Sequence, residues 1–364
     1  MTAAPRHVNT LDSMRALSAL AVFLSHLVQI AWLPVLGLGS WLHRANSLLS
    51  ESAVIVFFLL SGYLITMSIW RNIERSDRFD FLDFAAARIA RIYPPLLCAI
   101  LIAMAVYYAI RVLDWPGGAS PLRHAGDLYA ARDMLSMTRG EIKNALMMRS
   151  GLLTINGPLW SLYIEVQLYA AAGAFAYLLR GAGLAWRAAA GLLLGLLLWS
   201  SIRETPDYLL YAAWWLLGAS FFVCQLSPRR NLLLSLVVAG LGAAILYTTH
   251  ASPLVEATRI ALMLILAALM FFVWSWESRL LEEIAGFSYT LYLIHFPIII
   301  LVYSGFLALQ SAAPPSFAAR SVASLAAAVL AYYAARFLGK PAENTRFFKR
   351  LILFPFHRAS GRPA

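Results

Sequence analysis

Two polar residues lie within an otherwise apolar stretch near the start of the chain. Arg15 and His26 flank ten residues that are almost all apolar. A helix turns about 100° and rises about 1.5 Å per residue, so His26 lies within about 20° of the face of Arg15 and roughly 16 Å further along. Both side chains are costly in hydrocarbon and need a functional or pairing role. This spacing suits a large anionic donor whose charged part stays at the membrane surface while its reactive end reaches inward.

A second pair of basic residues follows the second apolar stretch. Arg88 and Arg91 are three residues apart, hence on one face of a helix, while apolar side chains at every fourth position form another face. This pattern predicts an amphipathic helix in the headgroup region, and Pro94 and Pro95 suit the first turn of the membrane helix that follows. Two guanidinium groups at this spacing can bind a phosphate or pyrophosphate. Anchoring to lipid headgroups is the alternative role.

Two further titratable residues lie inside apolar segments. Glu165 is the only acidic residue well inside a predicted span, so we expect it to face a cavity or a cation. It is either a functional carboxylate or a structural group that fastens two helices. His295 is a second intramembrane histidine, beside an expected helix kink at Pro297. Packing within the bundle is the alternative role for His295.

The composition defines the class of protein. Hydrophobic residues make up 61% of the chain and charged residues only 13%, with a mean hydropathy of +0.71. This excludes a soluble globular domain and predicts an all-α polytopic integral membrane protein with a central cavity. The net charge of +11 reflects basic residues in cytoplasmic loops, so we expect membrane lipids and no nucleic acid as partners. The sequence has no metal-ligand spacing, and no metal is expected.

Apolar stretches of about 17 to 25 residues predict about ten transmembrane helices. They cover residues 14–35, 52–70, 92–112, 159–179, 186–202, 208–226, 231–248, 260–276, 286–309 and 317–338. An even number of spans puts both termini on one side, and most of the 29 Lys and Arg residues fall on that side. The positive-inside rule then predicts cytoplasmic N and C termini.

The predicted organisation is a single transmembrane domain over residues 1–355, followed by a cytoplasmic tail at 356–364. Residues 113–158 form the one long outer segment, a loop or cap with Pro and Gly turns at both ends. The first apolar stretch is longer than a signal-peptide core, so we expect it to be retained.

Five sequence blocks resemble the membrane-bound acyltransferase 3 family, whose opening signature is an arginine and a histidine separated by ten residues. The blocks occur in order across nearly the whole chain: Leu11–Arg15 with His26, Phe57–Ile65, Arg88–Pro94, Pro158–Tyr169 and Ser288–Pro297. Each block alone is weak, whereas five in the family's order are specific.

The chain departs from the family pattern in places. Ser13 and Ala16 stand where the family often has glycine, and Val166 stands where it often has a second glutamate. No role can therefore be assigned to a second carboxylate in this chain, whereas the first one, Glu165, is present. Lys340–Glu343 is only loosely similar to the family's closing motif, so no role is inferred from it.

The resemblance implies transfer of an acyl group, usually acetyl, from cytoplasmic acyl-coenzyme A to a hydroxyl group. The implied acceptor is a carbohydrate, a lipid-linked glycan or another envelope or secreted molecule. The resemblance also implies a multi-pass protein of the bacterial inner membrane. Direct attack on the thioester and a relay through a covalent acyl intermediate both remain open.

The resemblance also assigns roles to residues. His26 is the expected general base, since a neutral imidazole accepts a hydroxyl proton well. Arg15, Arg88 and Arg91 are expected to bind or position the donor phosphates. Glu165 is expected to orient His26 or to stabilise its charged form. The blocks supply five further candidates for donor or substrate binding: Ser61, Tyr93, Trp160, Tyr292 and His295.

Two other classes of protein compete with an enzyme. A transporter or flippase for an anionic or lipid-linked substrate also needs intramembrane Arg, His and Glu, but the sequence shows no two-half repeat. A non-catalytic scaffold has no need of costly ionisable residues in the bilayer. Release of free thiol from acyl-coenzyme A separates the enzyme from both alternatives.

Overall fold

The structure is a computed structural model that describes most of the chain. The described residues are 7–37, 39–118, 120–122, 134–149, 152, 154–205, 207–226, 240, 278–310 and 316–360. Across these ranges the chain forms helices and short turns, and no β-strand. The predicted spans 231–248 and 260–276 lie outside the described residues.

Most of the helices agree with the predicted spans. In chain order they are α1 His7–Ala31, α2 Leu33–Leu36, α3 Trp41–Ser76, α4 Phe81–Val112, α5 Arg139–Leu146, α6 Trp160–Arg180, α7 Leu184–Glu204, α8 Tyr208–Leu226, α9 Arg279–Ala285, α10 Ser288–Ala308, α11 Phe317–Ala342 and α12 Thr345–Ser360. Within the described part of the chain, eight helical segments are long and apolar enough to cross a membrane. The all-α polytopic membrane fold is confirmed, while the total of ten spans stays a prediction.

The burial of each helix shows its place in the bundle. Helix α10 is the most enclosed of the eight spans and α7 is the least. On α7 the large apolar side chains Leu192, Leu196 and Trp199 are exposed. Exposed apolar side chains over a whole helix are typical of a surface that faces lipid. The core of the bundle therefore lies around α10, which packs against α1, α4 and α11.

Helix α4 differs from its prediction. The separate headgroup helix and a span opening near Pro94 are wrong, because one helix runs from Phe81 to Val112 with Pro94 and Pro95 inside it. The helix begins early because the Asp80 side chain accepts a hydrogen bond from the Asp83 backbone N–H at 3.0 Å, which is an N-cap. Everything from this cap onward, including both candidate arginines, is thus part of a bundle helix.

The outer segment and the C-terminal boundary are only partly described. Between positions 113 and 158, the described residues include α5 and a short 3₁₀ turn at Gly157–Leu159. Helix α12 continues across the predicted domain limit at residue 355. The division into a domain of residues 1–355 and a tail of 356–364 stays a prediction.

Small residues let α11 lie close against α10. Buried residues recur at every fourth position along α11: Ala323, Ala327, Ala331, Ala335 and Gly339. A Cβ atom added at Gly339 would lie 2.6 Å from Cβ of Phe287, just before α10. Close contact through small side chains is a common way to pack membrane helices, because helices gain van der Waals contact there.

Helices α3 and α8 cross at two glycines, and this crossing gives the first prediction. A Cβ atom at Gly62 would collide with the Trp215 carbonyl, and one at Gly218 with the Leu59 carbonyl. We expect Gly62→Ala to lower the free energy of unfolding by about 1–3 kcal/mol, as overpacking does. Thermal unfolding in detergent measures this effect. Gly195→Ala is the matched control, because a Cβ there meets nothing within 4 Å. Equal stability of the two variants would contradict the close crossing.

Candidate active site

A cavity of about 760 Å³ lies between the helices that carry the predicted site residues. This volume is within the usual range of small-molecule sites, about 300–1,000 Å³. Its lining includes Arg15 from α1, Ser61 from α3, Arg88 and Arg91 from α4, Glu165 and Tyr169 from α6, and Tyr289 and Tyr292 from α10. Six residues predicted from the sequence, Arg15, Ser61, Arg88, Arg91, Glu165 and Tyr292, therefore meet at one cavity.

Arg15 connects α1 to the start of α10. Its Nη2 donates a hydrogen bond to the Ala285 carbonyl at 2.8 Å, and its Nε donates to Ser288 Oγ at 3.1 Å. Ala285 ends α9, where carbonyl groups lack helical partners and a cation is favoured. Asp12 forms an ion pair with the same guanidinium at 3.1 Å. Arg15 is thus held in place on the cavity wall.

Arg88 and Arg91 face the cavity from α4. The Arg88 guanidinium lies over the rings of Phe84 and Tyr169, at 5.6 and 5.8 Å from their centroids. Arg91 lies 5.4 Å from the centroid of the Tyr289 ring. These distances are within the range of cation–π attraction. Both guanidinium groups line the cavity. The phosphate-binding role and the lipid-anchoring alternative stay predictions.

Arg88 has hydrogen-bonding capacity to spare. Its Nη2 makes a long contact of 3.4 Å with Ser68 Oγ. Among the described residues its buried Nε has no hydrogen-bond partner. A buried donor without a partner is rare in proteins and calls for an explanation such as a ligand. An anionic ligand in the cavity provides one.

Glu165 is part of a hydrogen-bonded chain on the cavity wall. Its Oε1 accepts from the Tyr169 hydroxyl at 2.5 Å, one helical turn along α6. Ser61 Oγ donates to Tyr169 Oη at 3.4 Å and accepts from Trp215 Nε1 at 3.2 Å. Glu165 also lies within electrostatic range of both cavity arginines of α4. Its surroundings therefore suit a counter-charge for the arginine pair.

The two intramembrane histidines contact each other. Nδ1 of His26 lies 3.0 Å from Nε2 of His295, and 2.9 Å from the Val22 carbonyl of its own helix. His295 is fully buried, and its Nδ1 lies 2.7 Å from the Tyr292 carbonyl. Arg15 and His26 of α1 thus both contact α10, one near its first residue and the other two turns later. Neither histidine lines the cavity directly.

Tyr292 is the cavity residue next to the histidines. Its ring centroid lies 5.9 Å from that of His295. Its hydroxyl donates to the Pro158 carbonyl at 2.9 Å and is 2.6 Å from Ser161 Oγ. Asn156 adds a further link, because its Nδ2 donates to the Leu293 carbonyl at 2.8 Å. That carbonyl lacks its usual helical partner, since Pro297 has no N–H.

Two further predicted residues, Tyr93 and Trp160, also lie away from the cavity. The Tyr93 hydroxyl donates to the Leu146 carbonyl at 3.2 Å. Trp160 is 40% exposed, and its ring packs against Tyr211 at a centroid distance of 5.2 Å. Neither residue lines the cavity described above. Roles for them in donor or substrate binding stay predictions.

Glu343 is a candidate that sequence reasoning left out. Its Oε1 accepts a hydrogen bond of 2.8 Å from the Thr290 backbone N–H, in the first turn of α10. It also lies within electrostatic range of Arg91 and Arg15. The sequence did contain a signal for it. Small residues recur at every fourth position up to Ala335 and Gly339, and the next position in this series is 343.

Comparison with known proteins identifies the family of the chain. The chain matches a family model described as an acyltransferase domain over residues 8–333. The protein therefore belongs to the acyltransferase 3 family, as the five sequence blocks predict. It is a membrane acyltransferase by family.

The chain is also similar to individual proteins over part of its length. The chain is 29% identical over 166 residues to acyltransferase MdmB of Streptomyces mycarofaciens, covering 44% of this chain and 37% of that protein. It is 29% identical over 225 residues to an O-acetyl transferase of Shigella phage Sf6, covering 59% and 60%. It is 30% identical over 100 residues to O-acetyltransferase OatA of Staphylococcus aureus, covering 28% and 14%. The chain thus spans less than two thirds of these relatives, and no solved structure matches it.

Glu343 yields the second prediction. We expect Glu343→Ala to lower the free energy of unfolding by about 1–3 kcal/mol, because the Thr290 N–H loses its acceptor. Glu283→Ala is the matched control, since Glu283 pairs with Arg336 at 2.9 Å on the surface. Such exposed pairs contribute about 0–1 kcal/mol. Thermal unfolding of both variants measures the difference, and a Glu283→Ala effect as large as that of Glu343→Ala would contradict the role of Glu343 in fixing α10.

Proposed function

We propose that the protein transfers an acyl group, acetyl by expectation, from cytoplasmic acyl-coenzyme A to a hydroxyl of a carbohydrate, a lipid-linked glycan or another envelope or secreted acceptor. One observation carries the proposal. The cavity has five arginines on its wall, among them Arg15, Arg88 and Arg91, and it also reaches Tyr292, whose ring lies next to that of His295. The names of two relatives, both O-acetyltransferases, support acetyl as the group and oxygen as the acceptor atom.

The arginines suit the donor. Coenzyme A carries phosphate groups at one end and the thioester at the other, joined by a long uncharged arm. Planar guanidinium forks bind phosphate with two parallel hydrogen bonds, and the unpartnered Nε of Arg88 is available for one of them. Arg15 and Arg91 add positive charge on the same wall. Glu165, on the same cavity, balances part of this positive charge.

The histidines suit the transfer step. An acceptor hydroxyl loses its proton to His26 while its oxygen attacks the thioester carbon. The carbon–sulfur bond then breaks, an ester forms, and the proton passes from His26 to the departing thiolate. The products are the O-acylated acceptor and coenzyme A with a free thiol. The donor arm has to pass Tyr292 to bring the thioester to His26, because His26 does not line the cavity.

We further propose a location that follows from this reaction. The donor is cytoplasmic, so the arginine side of the cavity opens to the cytoplasm, in agreement with cytoplasmic N and C termini from the positive-inside rule. The acceptor then approaches from the opposite side, where the chain has its long outer segment. A multi-pass protein of a bacterial inner membrane meets both requirements.

The Arg88 and Arg91 pair gives the third prediction. Arg88→Lys and Arg91→Lys keep the charge but lose the planar fork, so we expect the KM for acetyl-coenzyme A to rise by about tenfold in each variant. Arg336→Lys is the matched control, because Arg336 is a surface residue paired with Glu283. An unchanged KM in both single variants and in the double variant would exclude the phosphate-binding role.

The fourth prediction tests the function itself. Reconstituted protein with radiolabelled acetyl-coenzyme A and a mixture of oligosaccharides should release free thiol and form base-labile label on the carbohydrate. We expect His26→Ala to lower this rate by about a hundredfold or more, the usual cost of losing a positioned base. Donor binding should survive, whereas Arg15→Ala should weaken it.

His43→Ala is the control for His26→Ala, because His43 lies near the start of α3, apart from the cavity lining. Folding is checked by thermal unfolding, since removing an intramembrane polar group can also disturb helix packing. A folded His26→Ala protein that transfers acetyl at the wild-type rate would show that His26 is not the base. Absence of thiol release from the wild-type protein with every acceptor would favour a transporter.

A further inference from the structure

We infer that Arg71 and Arg75, in the last turns of α3, form a second phosphate subsite at the mouth of the cavity, and that this subsite binds the ribose phosphate of the donor. The inference rests on the proposed function, because it takes coenzyme A as the donor. Neither arginine belongs to the five sequence blocks. Both line the same cavity as Arg88 and Arg91, whose spacing suits the diphosphate of the donor.

One face of α3 lines the cavity over five turns of the helix. The residues on this face follow one another at a spacing of three or four: Phe57, Ser61, Leu64, Ser68, Arg71 and Arg75. At about 1.5 Å per residue, the series extends for roughly 27 Å along the helix. One extended ligand can therefore lie along α3.

The chemical character of this face changes along its length. At one end, Phe57 packs against the buried Tyr292, with ring centroids 5.3 Å apart. At the other end, Arg71 and Arg75 are exposed. Coenzyme A has the same polarity, because its uncharged arm carries the thioester away from its phosphates. The thioester then points toward Tyr292, and the phosphates lie toward the end of α3.

A contact between α3 and α4 shows where the inner arginine lies along this face. Nη2 of Arg88 lies 3.4 Å from Ser68 Oγ, so Arg88 meets α3 at the level of Ser68. Arg71 and Arg75 follow three and seven residues later, about 5 and 10 Å closer to the mouth. In coenzyme A the diphosphate is next to the arm, and the ribose phosphate lies beyond it. The order of the arginines along the cavity therefore matches the order of the phosphates.

The outer arginines are placed to reach a ligand. The Arg75 side chain is 66% exposed, and its Nη2 pairs with Asp83 at 3.3 Å. Asp83 also pairs with Lys349 at 2.5 Å, so it keeps a cation partner when Arg75 turns to a phosphate. Glu74 lines the same end, where two guanidinium groups of α3 against one carboxylate leave a net positive charge. Guanidinium groups bind phosphate through paired hydrogen bonds.

Coenzyme A and dephospho-coenzyme A, which lacks only the ribose phosphate, test the inference. Titration calorimetry of the full-length protein in detergent measures the Kd of each ligand, and it needs no acceptor. We expect the wild-type protein to bind coenzyme A about tenfold more tightly, the scale of one hydrogen bond to a charged group. Higher salt should reduce this preference, because the outer subsite is exposed to solvent.

Glutamine variants assign the preference to the two arginines. Arg71→Gln and Arg75→Gln remove the charge but keep a good helix former. We expect each to weaken binding of coenzyme A by about threefold or more and to leave that of dephospho-coenzyme A unchanged. Arg88→Lys should weaken binding of both ligands alike, because both carry the diphosphate. Arg78→Gln is the matched control, since Arg78 is exposed just after α3 and does not line the cavity.

The outcomes separate this inference from the proposed function. Equal affinities of the wild-type protein for the two ligands would overturn the outer subsite and leave coenzyme A as the donor. A preference that survives in the double Gln variant would overturn the assignment to Arg71 and Arg75. Binding of neither ligand would overturn the proposed donor, and the inference with it. The wild-type comparison applies even where a variant fails to fold.

Discussion

The arrangement of this protein depends on one constraint, which is the enclosure of guanidinium groups inside an apolar helix bundle. An arginine in hydrocarbon is costly, and Arg15, Arg88 and Arg91 all face one cavity. Their cost is offset by aromatic faces, by carbonyls at a helix end, and by the carboxylates of Glu165 and Glu343. Because these partners come from α1, α4, α6, α9, α10 and the end of α11, the helices have to assemble around the cavity.

Helix α10 contacts both the arginine-lined cavity and the His26–His295 pair, of which His295 is its own residue. At its start, Ser288 and Thr290 bind Arg15 and Glu343. Two turns on, His295 binds His26. Between them, Tyr292 binds the turn that begins α6. The proline in this helix frees the Leu293 carbonyl, and Asn156 uses it. The carbonyl that this proline leaves without a helical partner therefore links α10 to the outer segment through Asn156.

The sequence predicts the membrane spans well because hydrophobic length is a strong signal for helices in lipid. It also predicts six of the residues that line the cavity, among them Arg15 and Glu165, since costly ionisable groups in apolar segments are few. The helical period places Arg15 and His26 on one side of α1, and both contact α10. The chain matches the family model over residues 8–333, which include these residues, and their roles stay predictions.

Other features depend on contacts that no local pattern encodes. The N-cap at Asp80 extends α4 before its prolines, so the predicted headgroup helix is wrong. Direct contact between His26 and His295 joins residues far apart in the chain, and neither apolar segment alone indicates it. Glu343 follows the last predicted span in a loosely matching motif, although its position continues the four-residue spacing of the small buried residues in α11.

The position of Glu343 also bears on which residues hold the bundle together. Similarity to the family model stops at residue 333, before Glu343 and before Lys349, which pairs with Asp83 of α4 at 2.5 Å. The carboxylate that fixes the first turn of α10 and the lysine that pairs with the start of α4 therefore lie beyond the residues that the family model matches. A protein cut back to the matched range would lose both contacts, so we expect its α4 and α10 to be held less firmly.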